Sequence, residues 1–321
     1  RHWLKESAGE NWPEQVLVVT DPVAGRLRKL VQQSQGPGRS GLRSLPIFPG
    51  VGGRYSELNI GLFHLALVGI EPGEVLRGAA AMAERCSSDS LWENPALFYA
   101  AAHFLLSEKG KNIAVVMPFS EGLRSTADWY AQLLAESLGK KFARKIVKTT
   151  EGKEEWVKDE ARIVCTGRTP VACRGTNDLH SLHQNNIEGR PDKVVTLIKV
   201  GRFPLEVTLP EDTGALSGKK YSELLNLAAE ATEWALVKAQ RPNCTIFLPE
   251  LSACFWGGLI YFWELATALE GELLNINAFD QPGVESYKTY LKVKLQPETV
   301  SDKNRQEVSS CPVRRQEEFI L

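Results

Sequence analysis

Asn112-Ile113-Ala114-Val115-Val116-Met117 is an unbroken apolar run between the turn Lys109-Gly110-Lys111 and a helical pattern over residues 123–138. A run of this kind suits a strand covered on both faces, as in a parallel sheet flanked by helices. Working outward, apolar residues at helical spacing predict helices over 74–86 and 94–108, whose Ala, Leu and Phe positions suit packing against a sheet. Further short strands are expected over 194–200, 245–248 and 273–276, and helices over 221–239, 255–269 and 283–295. Toward the start, extended pieces at 15–19 and 45–48 flank a helical stretch at 23–31, a βαβ-like unit. Strands alternating with long helices define an α/β fold with a largely parallel sheet.

Residues 143–161 are highly charged and weakly periodic, and read as exposed. Glu71-Pro72-Gly73 punctuates the chain and suggests a boundary, giving expected divisions of 1–72, 73–295 and an unpatterned, disordered tail at 296–321.

The composition excludes several classes. Of 321 residues, 38 are Lys or Arg and 39 Asp or Glu, so no basic field argues for nucleic acid or a membrane surface. No apolar run reaches the roughly 18 residues of a spanning helix. The nearest, 252–269, is interrupted by Glu264. Cys86, Cys165, Cys173, Cys244, Cys254 and Cys311 lack paired metal spacing and read as reduced thiols of a cytosolic protein. The chain opens at Arg1 with no signal-peptide pattern, and residues 1–9 read as a helix entered midway, so an amino-terminal truncation is expected.

Several residues suggest chemistry. In Val51-Gly52-Gly53-Arg54-Tyr55-Ser56 two glycines permit positive φ and close approach, and one permanently charged fork follows. That is either an anion-binding turn or a plain turn with a surface arginine. Trp129, Gln132 and Glu136 fall on one helix face, with Gln132 and Glu136 one turn apart; a lone Glu near a helix end is ordinarily solvated. In Gly175-Thr176-Asn177-Asp178-Leu179-His180-Ser181, a helix starting near 177 would place His180 in its first turn, where the dipole disfavours imidazolium. His183 lies three residues on, but no third ligand has convincing metal spacing, and it reads as structural. Phe279-Asp280-Gln281-Pro282-Gly283-Val284-Glu285 follows the expected last strand and would lie at a sheet's carboxyl edge. Lys288 either reaches that crevice or pairs with Glu285 three residues back.

Together these segments resemble the phosphoglucose isomerase family. The resemblance also includes Ala135-Glu136-Ser137, Gly167-Arg168-Thr169-Pro170-Val171, Arg241-Pro242-Asn243 and Gly271-Glu272-Leu273-Leu274, in order across 15–295. It implies a sugar-isomerase (SIS) three-layer αβα sandwich, with the second SIS domain essentially complete and the first partial. It further implies interconversion of glucose 6-phosphate and fructose 6-phosphate, in glycolysis and gluconeogenesis, by a cytoplasmic homodimer needing no metal or organic cofactor. On that resemblance Glu136 is the base, Arg54 the cation that stabilises an enediolate, and His180 and Lys288 the groups that open the sugar ring. Gly53, Gln132 and Gln281 line the sugar pocket, and His180 reaches the site from the partner subunit.

The family's Ser/Thr-rich phosphate loop has no counterpart between Arg1 and Gln15. Losing it removes several charge-assisted hydrogen bonds, each on the order of 1.5–3 kcal/mol. That favours a second reading of this chain, a non-catalytic sugar-phosphate-binding module. The joint presence of Arg54, Glu136, His180 and Lys288 favours the enzyme, because a binding module has no need of a base.

Overall fold

A computed structural model describes residues 2–36 and 41–311. Helix α1 (His2–Ala8) precedes a small βαβ unit of β1 (Leu17–Thr20), α2 (Arg26–Ser34) and β2 (Arg43–Pro46). β1 and β2 pair in parallel, Leu17 opposite Arg43 through Thr20 opposite Pro46. Trp12, Val18, Val31 and Leu42 close its core. The two apolar runs and the intervening helical spacing thus form the expected crossover unit.

A short 3-10 turn, Gly53–Tyr55, and α3 (Ile60–Leu67) lead into α4 (Pro72–Arg85) and α5 (Pro95–Glu108). Both longer helices start where the sequence caps them. The Glu71 carboxylate accepts from Gly73 N and the Asn94 amide oxygen from Leu97 N, each with proline at the first helical position. Then come β3 (Ile113–Pro118), α6 (Arg124–Leu138), the hairpin β4 (Phe142–Lys148) and β5 (Glu154–Ile163), β6 (Thr169–Ala172), α7 (Leu182–Ile187) and β7 (Lys193–Arg202). α8 (Tyr221–Lys238), β8 (Asn243–Glu250) and α9 (Ala253–Leu273) follow.

The sheet runs β6-β3-β7-β8, every pairing parallel. Alternation along the strands produces the three layers. Ala114, Val116, Ile198 and Val200 pack with α5, α6 and α9 on one face. Val115, Met117, Val195 and Leu197 pack with Ala229 and Leu236 of α8 on the other. The fold is the expected α/β sandwich with a parallel sheet.

The structure departs from the sequence reading in three places. The charged stretch at 143–161 is a hairpin, β4 antiparallel to β5, anchored by a bidentate bond from Arg144 to Glu272 at 2.9 and 2.6 Å. Its strands are largely exposed, so they carry no alternating apolar signal. Residues 273–276 form no strand. α9 continues to Leu273 and ends in a Schellman motif: Asn275 takes φ 53, Ile276 N donates to Gly271 O, and Asn275 N donates to Glu272 O. Three apolar residues with a left-handed Asn among them resemble a strand only when the cap is overlooked. The stretch from Phe279 therefore follows a capped helix end and not a strand.

The chain falls into two compact units, Arg1–Ala278 and Phe279–Leu321. Helix α4 is held to α9 backbone against backbone. A Cβ added at Gly78 would lie 1.7 Å from Cys254 O, and one at Gly257 2.1 Å from Val75 O. In the second unit, α10 (Glu285–Leu295) is followed by α11 (Asp302–Ser310), capped by Ser301, within the stretch that composition marked as disordered. A short polar helix has a cap but no apolar stripe, so periodicity misses it. Among the described residues no helix is long and apolar enough to cross a membrane.

Two groups of buried charge shape the larger unit. Arg168 donates to Glu270 through Nε at 2.8 Å and Nη2 at 2.6 Å, with both side chains 2–3% exposed. Beside this pair, Tyr99 OH lies 2.9 Å from Thr196 Oγ1, and burial holds the His103 imidazole well below its ordinary pKa. Elsewhere, Glu264 of α9 and Glu57 each have one buried carboxyl oxygen without a partner. Burial, then the neighbouring Glu57 charge, pushes Glu264 up from 4.5 to about 8.

Removing one partner of the Arg168–Glu270 pair leaves a buried unpaired charge. Glu270→Ala should lower unfolding free energy in urea by about 3–5 kcal/mol, whereas Arg168→Met with Glu270→Leu should come close to the parent. A loss under about 1 kcal/mol in the single variant would show that the buried pair contributes no more than a surface one. Glu264 binds its proton more tightly when folded, so its stabilising contribution is complete in acid and is lost as pH rises from 4.5 to about 8. Glu264→Gln, neutral throughout, should exceed the parent in melting temperature by the widest margin at pH about 8 and the narrowest at pH about 4. A margin independent of pH would show that the carboxyl does not titrate in this window.

Candidate active site

Arg54 sits in the turn Gly53–Tyr55 and is 1% exposed. The glycines before it do not adopt the positive φ expected of them: Gly52 has φ −74, and the left-handed residue of this segment is Gly50, at φ 81. Gly53 matters instead for the space beside it, since a Cβ there would meet no atom within 4 Å. The turn does not present a surface arginine. The guanidinium points inward, where Nε donates to Ser137 Oγ (2.9 Å), Nη2 to Ala278 O (2.8 Å) and Nη1 to Glu136 Oε2 (3.2 Å). Trp129 Nε1 donates to Arg54 O at 3.2 Å, tying the turn to the middle of α6.

Glu136 and Ser137 occupy the last turn of α6, which the sequence ends at Gly139. Helical spacing brings Gln132 Nε2 to Glu136 Oε1 at 3.1 Å, as expected for an i,i+4 pair. Glu136 is 28% exposed, so its carboxylate meets solvent on one side and Arg54 on the other. Lys140 Nζ donates to Glu136 O, a cation at a helix carboxyl end. The loop before β6 fixes this helix end. Thr166 Oγ1 donates to Leu138 O at 2.9 Å, and Gly167 takes φ 113 where a Cβ would lie 2.8 Å from Gly139 Cα. The carboxylate thus stands beside the strands' amino ends, opposite to the edge where open α/β sheets usually hold ligands.

The structure brings Arg54, Gln132 and Glu136 together, with Gly53 adjacent. His180 is exposed at the end of the 3-10 turn Asn177–His180 and shares no hydrogen bond or ion pair with those three. It does not lie in the first turn of an α-helix, because Ser181 (φ −141, ψ −86) separates that turn from α7. His183 is partly buried, and desolvation lowers its pKa. Gln281 and Lys288 belong to the second compact unit, where Lys288 Nζ bonds Glu285 Oε1 at 2.7 Å, the i,i+3 pairing considered above.

Sequence reasoning passed over Ser137, the Ala278 carbonyl and Tyr55. Ser137 is fully buried and takes the Arg54 Nε bond; Tyr55 OH lies 3.2 Å from the same hydroxyl, and burial raises the Tyr55 phenol pKa. Nothing in their spacing signals this, since the acceptors lie 83 and 224 positions from Arg54.

Chemically, the arrangement offers a half-exposed carboxylate oriented by an amide and a buried, hydrogen-bonded cation beside it. Such a pair can accept a carbon-bound proton and stabilise the oxyanion that forms.

A model of the family described as phosphoglucose isomerase matches residues 213–311, which hold Gln281 and Lys288 but not Arg54, Glu136 or His180. A glucose-6-phosphate isomerase of Carboxydothermus hydrogenoformans is 42% identical over 99% of this chain and 65% of its own length. One of Rubrobacter xylanophilus is 37% identical over 90% of this chain and 63% of its own length. The chain thus spans less than two thirds of either relative. Among solved structures, a hypothetical protein of Thermus thermophilus superposes with a TM-score of 0.79 at 34% identity, covering 92% of this chain and 66% of its own. A glucose-6-phosphate isomerase of Chlamydia trachomatis shares the fold, with a TM-score of 0.75 at 23% identity over 96% of this chain and 57% of its own. Likeness to glucose-6-phosphate isomerases is thus sustained over nearly the whole chain, and its carboxyl-side part matches the phosphoglucose isomerase family model.

Proposed function

We propose that the full-length protein is a glucose-6-phosphate isomerase that moves a hydrogen between C1 and C2 of a sugar phosphate, with Glu136 as the base. The observation that carries this reading is the asymmetry of the Arg54–Glu136 pair, 1% against 28% exposed. A base must reach substrate, whereas a cation that stabilises developing charge works best preorganised and shielded from water. Names and sequences of the relatives support the same reaction.

In this mechanism the ring opens first, with His180 and Lys288 handling the protons at the ring oxygen and O1. Glu136 then takes the proton from C2. The C–H electrons form the C1–C2 double bond, and the carbonyl electrons move onto O1. Arg54 offsets that charge, and Gln132 keeps the carboxylate turned toward both carbons, as its bond to Oε1 allows. A proton passes from the C2 hydroxyl to O1, C1 accepts the proton held by Glu136, and O2 becomes the ketone oxygen. One carboxylate serves both carbons because they are adjacent.

The protein acts as a cytoplasmic homodimer in this reading, with His180 reaching the partner subunit's Glu136. Exposure of His180, without a bond to the Glu136 of its own chain, supports that role. Gly53 and Gln281 line the sugar pocket. The domain division at residues 72 and 73 belongs to the same proposal, as a boundary between successive SIS domains.

Glu136→Gln in the full-length protein should reduce kcat by on the order of 10³-fold while leaving substrate affinity within about twofold. Near-normal turnover would overturn the assignment of the base. His180→Ala should slow cyclic glucose 6-phosphate far more than a substrate supplied in open-chain form, and equal losses on both would exclude a ring-opening role.

A further inference from the structure

Ser137 lies inside the machinery without an assigned task. We infer that Ser137 is a positioning residue that sets how Arg54 meets the base, an inference that rests on the isomerase reading for its kinetic consequences. The Nε and Nη2 hydrogens lie along one edge of the planar guanidinium. That edge is occupied by Ser137 Oγ at 2.9 Å and Ala278 O at 2.8 Å. Two acceptors on one edge fix both the plane and its rotation. Nη1 faces Glu136, through a bond of 3.2 Å to Oε2. The other carboxylate oxygen accepts from Gln132.

A guanidinium beside a carboxylate otherwise favours two parallel bonds. That fork would occupy both oxygens of Glu136 and make the carboxylate a weaker base. Ser137 prevents the collapse by holding Nε away from Glu136. Its place next to Glu136 on the helix suits the task, because neighbouring helical residues do not share a face. Glu136 projects to the half-exposed side, and Ser137, with no exposed surface, projects to the interior. Tyr55, in the same turn as Arg54, brings its hydroxyl within 3.2 Å of Ser137 Oγ and restrains it further.

The test compares Ser137→Ala, Ser137→Cys (similar in volume but a poor acceptor) and Ser137→Thr, which keeps the hydroxyl, in the full-length protein. Ala and Cys should lower kcat by about 10- to 100-fold. KM should stay within about twofold, and the acidic limb of the kcat/KM profile should move to lower pH as Glu136 becomes less basic. Thr should restore most of the rate. Adding Ser137→Ala to Arg54→Ala should cost nothing further, because the residue acts through the arginine. An unshifted pH profile in the Cys variant, or full additivity with Arg54→Ala, would overturn the inference. The Arg54 Nε–H resonance reports the geometry independently of turnover. It should be protected from exchange in the parent and exposed in the Ala and Cys variants. If the parent does not isomerise sugar phosphates, the functional reading fails, and this resonance still decides whether Ser137 holds Arg54.

Discussion

A guanidinium with 1% exposure is stable only if its donors find acceptors, since an unpaired buried charge costs several kcal/mol. Arg54 meets that condition with acceptors from the end of α6 and from Ala278, just beyond the end of α9. Three segments far apart in the chain are thereby fixed to one point. α6 must stop near residue 138, and the Thr166–Gly167 loop holds it there. α9 must end sharply enough to deliver Ala278, and the left-handed Asn275 provides the turn. Glu136 inherits its position from these constraints.

Similar charged pairs take on different duties because their surroundings differ. Arg168 and Glu270 form a closed, bidentate pair with both members 2–3% exposed, so nothing is left for a substrate to touch. Arg54 and Glu136 form an open pair, joined through Nη1 and exposed on the carboxylate side only. Glu57 and Glu264 show a third outcome: crowded together and desolvated, both carboxyls keep their protons more tightly. Of these carboxylates, Glu136 combines an ion-pair partner with access to solvent.

Apolar periodicity made the sandwich legible in advance. The run at 113–118, the βαβ spacing near the start and the long helices α4 to α6, α8 and α9 appear where alternation and helical spacing put them, because buried faces leave a mark on composition. The Gln132–Glu136 relation was readable too, as one turn of helix separates them. Elements that bury little left no such mark, which is why the exposed hairpin β4–β5 and helix α11 went unseen. The run at 273–276 misled because a capped helix end and a short strand can share the same few apolar residues.

By itself the sequence determined the layers, the order of the core strands and helices and the resemblance to the family, and it named candidate side chains for the chemistry, since each of these is encoded locally or by motif. Only the tertiary structure decided that Arg54 turns inward, that Ser137 and the Ala278 carbonyl take its edge, and that Glu136 keeps one side open to solvent. Burial and orientation depend on neighbours 82 to 224 positions away. No spacing rule reaches that far, and a guanidinium's partners are known only once the chain has closed around it.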